Sequence, residues 1–288
     1  MSRKKSLSES EIAIVGLGLM GGSLALALQG HCGRLLGCDL DPETIKLARA
    51  RSVVDRADSD LKTILPEADV IVLATPVNSI IELLRDLPEC HSGPAVVMDL
   101  GSTKTDIMRT MDALPSRFDP IGGHPVCGRI STGLMYADAK IYHGAPFALT
   151  PLPRTTNHAR SIAEELVEAV NAEPLWLDAV AHDTWVAATS HLPYLLAIGL
   201  LGATTPEASA VIGPGFVGAS RLAASNPEMM KDIFLTNREA VLEVIRKFTV
   251  EMEQLEVEIR EGDPKSLEET FERAAQLHQK LVLNRADA

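Results

Sequence analysis

At 288 residues the chain is long for one domain and sufficient for two. Apolar residues make up 46% and charged residues 23%, an ordinary globular balance, while aromatics reach only 4%, so aliphatic packing dominates the core. A net charge of −12 argues against nucleic-acid and anionic-membrane partners, which need a basic face, and leaves any anionic ligand to local donors.

Residues 11–15 (Glu-Ile-Ala-Ile-Val) read as a short buried strand. The turn Gly16-Leu17-Gly18-Leu19-Met20-Gly21 follows, and Ser23 to Gln29 reads as an apolar helix. Leu35 to Leu40 reads as a second strand. Pro42 to Arg51 reads as a helix, with proline at the start where its missing N–H costs nothing. Val70 to Ala74 is a continuous apolar run, the pattern of a central parallel strand, and Asn78 to Leu87 is its helix. Ala95 to Leu100 and Thr103 to Leu114 repeat the pair. Further strands are expected at Pro120 to Gly122, Pro146 to Leu149 and Pro174 to Leu177. This alternation predicts an α/β, Rossmann-like domain with a mostly parallel doubly wound sheet.

From about Val180 the strand signals vanish. Val241, Val244, Ile245, Phe248, Met252, Leu255 and Ile259 form one stripe on a long helix, which Gly262-Asp263-Pro264 ends before a last helix to Leu283. The domains expected are a dinucleotide-binding domain over 1–178 and an all-α domain over 179–288. The stripe suits either a core or a dimer seam.

Four cysteines with no CxxC pair and no zinc-ligand spacing point to free thiols in a reducing compartment and to no metal site. The N-terminus lacks the apolar core of a signal peptide, and Leu192 to Leu201 is short for a bilayer span. A cytoplasmic protein without a membrane partner is expected.

The glycines of GxGxxG each have a physical task. Gly16 permits the tight turn, Gly18 lets the backbone approach a pyrophosphate, and Gly21 lets helix and strand pack. The turn, with Leu19 and Met20, leads into a helix N-terminus that offers N–H groups to the phosphates. Asp39 closes the second strand 18 residues after Gly21. A carboxylate there accepts from both ribose hydroxyls and repels a 2′-phosphate, which favours NAD over NADP. Ala74-Thr75-Pro76 ends a later strand where the cofactor crosses the sheet edge, a role served mostly by backbone.

Three segments carry candidate chemistry. Ser102, in Gly101-Ser102-Thr103-Lys104, is a helix cap, a ligand contact or both. His124, in Gly122-Gly123-His124-Pro125, reads as standing on an irregular, exposed turn. Its imidazole suits proton abstraction near neutral pH. His191, in Ser190-His191-Leu192-Pro193-Tyr194, precedes a proline that disturbs its helix and needs a partner, either structural or substrate.

Together with Ser220-Arg221-Leu222-Ala223 and Asp232-Ile233-Phe234, these segments resemble the prephenate/arogenate dehydrogenase family of tyrosine biosynthesis, from about Glu11 to Leu283. The resemblance implies NAD-dependent oxidative decarboxylation of a cyclohexadienol, and a homodimer formed through the C-terminal domain. It implies that His124 takes the ring hydroxyl proton, that Ser102 orients His124 or that hydroxyl, and that Arg221 clamps a substrate carboxylate. His191 and Tyr194 would line the pocket. The chain departs from the family at Ile130 and Gly218, where relatives carry acids associated with gating. It also departs at Tyr194, where prephenate-using relatives often have histidine. Alternatives are another two-domain dehydrogenase of the β-hydroxyacid or pyrroline-carboxylate reductase type, and a non-catalytic dinucleotide-sensing dimer. The first leaves the His124 and His191 segments unexplained. The second predicts that His124→Asn changes nothing measurable.

Overall fold

The computed structural model describes residues 5–129 and 131–283; Ile130 lies outside the described residues. The strands are β1 (Glu11–Val15), β2 (Arg34–Cys38), β3 (Arg56–Asp58), β4 (Val70–Leu73), β5 (Ala95–Asp99), β6 (Phe118–Pro125), β7 (Pro146–Pro151) and β8 (Glu173–Trp176). They form one eight-stranded sheet in the order β3-β2-β1-β4-β5-β6-β7-β8. All pairs are parallel except β6 with β7. The helices between them are α1 (Leu19–Leu28), α2 (Pro42–Ala50), α3 (Leu61–Ile64), α4 (Val77–Cys90), α5 (Thr105–Asp112) and α6 (Asn157–Ala169). Strand order reverses direction between β1 and β4, the switch point at which such sheets bind ligands.

Alternation within each strand feeds two cores. Ile12 and Ile14 of β1 face one layer with Leu24 and Leu28 of α1 and Ile162 and Leu166 of α6. Ala13 and Val15 face the other, with Ile80 and Leu84 of α4 and Ile107 and Met111 of α5. Burial on both faces explains why β1, β4 and β5 read as continuous apolar runs.

Two sequence expectations differ from the structure. Helix α1 starts at Leu19, not Ser23, because Gly21 and Gly22 are inside it. A Cβ on Gly21 would lie 1.8 Å from the Gly16 carbonyl oxygen, and one on Gly22 would lie 2.4 Å from Leu134 Cδ1, so the glycines are there for close packing. Strand β6 runs to Pro125, so His124 sits on a strand opposite Ala148 of β7 rather than on an exposed turn. Gly122 and Gly123 are the cause of the misreading: a Cβ would lie 2.0 Å from Thr150 Oγ1 at the first and 2.6 Å from the Asp99 carbonyl at the second. The three-residue strand β3 had no periodic signal to find.

Beyond β8 the described chain is helical. Helix α7 (Ala179–Val186) passes through a π-helical turn (Ala187–His191) into α8 (Leu192–Ala203), and α9 (Pro214–Ser220), α10 (Pro227–Thr236), α11 (Arg238–Glu261) and α12 (Pro264–His278) follow. Pro193 has no N–H to give the preceding turn, and the widened turn ends two residues before it. The joined run Ala179–Ala203 is 25 residues long with a window hydropathy of 1.5, long and apolar enough to cross a membrane, so the short segment Leu192–Leu201 understated it. Only 22% of that window is buried in the single chain, and Trp185, Ile198 and Leu201 are exposed.

The chain divides into two compact units, Met1–Ala240 and Val241–Ala288. In the second, Gly262 adopts φ +68°, the Asp263 carboxylate accepts from Lys265 N–H, and Pro264 opens α12. Helices α11 and α12 expose Val250, Met252, Ile259 and Phe271.

Candidate active site

The C-terminal ends of β1, β2, β4, β5 and β6 bring the motifs to one edge. Gly16 adopts φ +94°, and a Cβ there would meet the Ala74 carbonyl and Thr75 Cγ2 at 2.7 Å. The Gly16 N–H bonds the Cys38 carbonyl at 2.8 Å, and the Leu17 N–H bonds Asp39 Oδ2 at 2.8 Å. Asp39 Oδ1 accepts from the Asp41 N–H, so this carboxylate is fixed at both oxygens before any ligand arrives. The Tyr142 hydroxyl, wholly buried, donates to the Met20 carbonyl at 2.6 Å and secures the first turn of α1.

These residues fit a dinucleotide. Gly18 caps α1, and nothing lies within 4 Å of where its Cβ would be, which is open space at a helix N-terminus. Thr75 Oγ1 is buried with no hydrogen-bond partner among the described residues, so the 74–76 segment offers a side-chain donor as well as backbone. Pro76 caps α4 beside it.

The second half of the edge is built around Asp99 at the end of β5. Its carboxylate accepts from Gly101 N–H at 2.7 Å, from Gly123 N–H at 3.2 Å and from the wholly buried Lys104 ammonium. Lys104 Nζ also donates to the Gly123 carbonyl at 2.7 Å. One carboxylate thus holds the residues preceding Ser102 and His124. Ser102 itself neither caps α5 nor bonds His124, and its hydroxyl makes no hydrogen bond among the described residues.

The partner of His124 is a residue the sequence reading passed over. His124 Nδ1 lies 2.8 Å from Nε2 of His182, and His182 Nδ1 lies 2.8 Å from Asp183 Oδ1. Asp183 in turn accepts from the Lys104 and Thr105 N–H groups at 2.7 and 2.8 Å, capping α5 from a distant helix. His182 and Asp183 are buried, and His124 is half-buried. Burial, with His182, Lys104 and His191 adding to it, holds the His124 pKa well below the usual imidazole value. Burial also lowers the pKa of His182. The Asp183 carboxyl is lowered despite burial, by the hydrogen bonds it accepts from His182, Thr105 and Lys104.

His191 is buried and receives the Asn237 side-chain amide at 3.2 Å. The same amide donates to the Asp183 carbonyl at 2.8 Å, which ties the end of α10 to α7. Burial brings the His191 pKa down to about 4. Phe234 stacks near both His191 and Tyr194, with ring centroids 5.9 and 5.7 Å apart. Arg221 begins a 3-10 turn after α9, is exposed and makes no ion pair among the described residues. Gly218 faces open space.

Comparison with known proteins adds the family. Residues 24–175 match the family model for the prephenate dehydrogenase nucleotide-binding domain, and residues 178–273 match its dimerization domain. The chain is 31% identical to the prephenate dehydrogenase of Bacillus subtilis (strain 168), over 96% of this chain and 77% of that protein. The crystal structure of A. aeolicus prephenate dehydrogenase with hydroxyphenyl propionate and NAD+ superposes with a TM-score of 0.86 at 30% identity, covering 96% of this chain and 99% of the other. Synechocystis arogenate dehydrogenase gives 0.83 at 29%, covering 94% and 100%. The chain belongs to the prephenate dehydrogenase family of oxidoreductases.

Proposed function

We propose that this protein catalyses the NAD-dependent oxidative decarboxylation of prephenate to 4-hydroxyphenylpyruvate, of arogenate to tyrosine, or of both. The observation that carries this reading is His124. An imidazole held neutral stands on the strand that Asp99 ties to the Ser102 loop, in the same row of strand ends as a dinucleotide cradle.

NAD, when bound along Gly16, Gly18, Leu19, Met20 and Gly21 with its ribose on Asp39, supplies the hydride acceptor. Thr75, between Ala74 and Pro76, would offer it an unpaired hydroxyl at the switch point. His124 accepts the proton of the ring hydroxyl, which raises electron density on the carbinol carbon and favours hydride departure. Loss of CO2 then aromatises the ring and makes the step effectively irreversible. Ser102, with its hydroxyl uncommitted, donates to the substrate oxygen. Arg221, a guanidinium without an internal partner, holds a substrate carboxylate with its planar fork. His191 and Tyr194 support the pocket through Phe234.

In this reading residues 1–178 bind the nucleotide and residues 179–288 serve substrate and dimerisation. The exposed apolar residues of Ala179–Ala203 and of α11 and α12 are then covered by a second copy, and the enzyme is a cytoplasmic homodimer. The test is to mix the protein with NAD and each substrate and follow absorbance of the reduced cofactor. Turnover with at least one is the expected result, and none with either refutes the reading.

A further inference from the structure

We infer that His182 and Asp183 form a positioning relay that fixes His124 in the one tautomer able to act as a base. The argument follows the hydrogen bonds outward from Asp183. An ionised carboxylate only accepts. Its Oδ1 takes the Lys104 N–H and faces His182 Nδ1, and its Oδ2 takes the Thr105 N–H. His182 therefore carries a proton on Nδ1. A buried, neutral His182 then has a bare Nε2. That atom is 2.8 Å from His124 Nδ1, so His124 must carry its own proton there and present an unprotonated Nε2. The ring centroids are 5.0 Å apart, a separation that an in-plane N–H to lone-pair contact allows.

The relay rests on the proposed role of His124 but does not depend on which substrate it serves. When His124 takes a proton at Nε2, the new imidazolium keeps its Nδ1–H on His182, and the Asp183 charge offsets it through that ring. Asp183 stays ionised because the α5 N–H groups and His182 hold it so. Other groups facing the pair are Lys104 and Asp99 toward His182, and Lys104 and His191 toward His124. A third residue that orients a base by this logic is a general device of nucleophile and base pairs.

The experiment uses the full-length protein with NAD, labelled with 15N in its histidine rings, with the His124 signals assigned by their loss in His124→Asn. The wild type should show His124 protonated at Nδ1 and bare at Nε2. Asp183→Asn removes the charge that holds the His182 proton at Nδ1 and sets an amide N–H against either the Lys104 or the Thr105 N–H, so His124 should lose its single Nδ1-protonated tautomer. Its kcat should fall on the order of 10²-fold or more, while KM changes less than about threefold. His182→Gln, whose amide can accept from His124 and donate to Asp183, should stay within roughly tenfold of wild type, and His182→Leu should not. A wild-type His124 protonated at Nε2 overturns the relay, as does wild-type kcat in Asp183→Asn. If neither substrate turns over, the tautomer reading still decides the relay by itself.

Discussion

Lys104 and Asp99 pair at the end of β5 with neither side chain exposed to solvent, and the lysine spends a second hydrogen bond on the Gly123 carbonyl. The pair joins the loop that carries Ser102 to the strand that carries His124. Removing one partner of a buried pair leaves the other charge uncompensated. Lys104→Met is therefore expected to cost about 3–5 kcal/mol of stability, with a fall in melting temperature on the order of 10 °C. Adding Asp99→Asn should recover part of that loss. Thermal and urea unfolding of the three proteins check it.

Gly18 and Gly21 separate fold from function. Gly21→Ala places a methyl 1.8 Å from the Gly16 carbonyl oxygen and should destabilise the domain outright. Gly18→Ala meets no protein atom, so its melting temperature should stay near wild type while its methyl occupies the pyrophosphate path and NAD affinity falls. Calorimetric titration with NAD beside thermal melts distinguishes the two.

Asp39 is pinned by Leu17 and Asp41, one bond to each oxygen, which leaves each oxygen a further lone pair. Charged hydrogen bonds contribute about 1.5–3 kcal/mol each. Asp39→Ala should therefore weaken NAD by roughly 10- to 100-fold and narrow its preference over NADP. Unchanged cofactor preference would remove Asp39 from the ribose site.

His191 makes stability depend on pH. Its folded pKa is about 4 against an ordinary 6.5, so between these values the unfolded chain binds the extra proton. This contribution, roughly 3 kcal/mol, is complete above pH 6.5 and is lost as pH falls toward 4. Burial is the physical reason that protonation is resisted, and His182 adds to it. Urea unfolding from pH 7 to 4.5 should show the decline, and His191→Gln should flatten it.

Much of the glycine-loop geometry was legible in the sequence because its signals are local. Gly16, Gly18, Gly21 and Asp39 act through backbone shape and strand ends, which spacing records. The geometry around His124 was only partly legible. His124 stood out, but its neighbours were misjudged: two glycines that let β6 pass under Thr150 and Asp99 looked like a turn. His182 and Asp183 gave no local sign, because they meet His124 and α5 only after folding brings residues 58 and 79 positions apart together. A carboxylate that caps a helix across such a distance leaves Ser102, the expected cap, free for other work.

The most direct test of the central claim is the rate of NAD reduction with prephenate and with arogenate, for the wild type and for His124→Asn. Wild-type protein should produce reduced cofactor with at least one substrate. His124→Asn should still bind that substrate while its turnover drops about 10²- to 10⁴-fold. No turnover by the wild type with either substrate, or equal rates in the two proteins, would contradict the account.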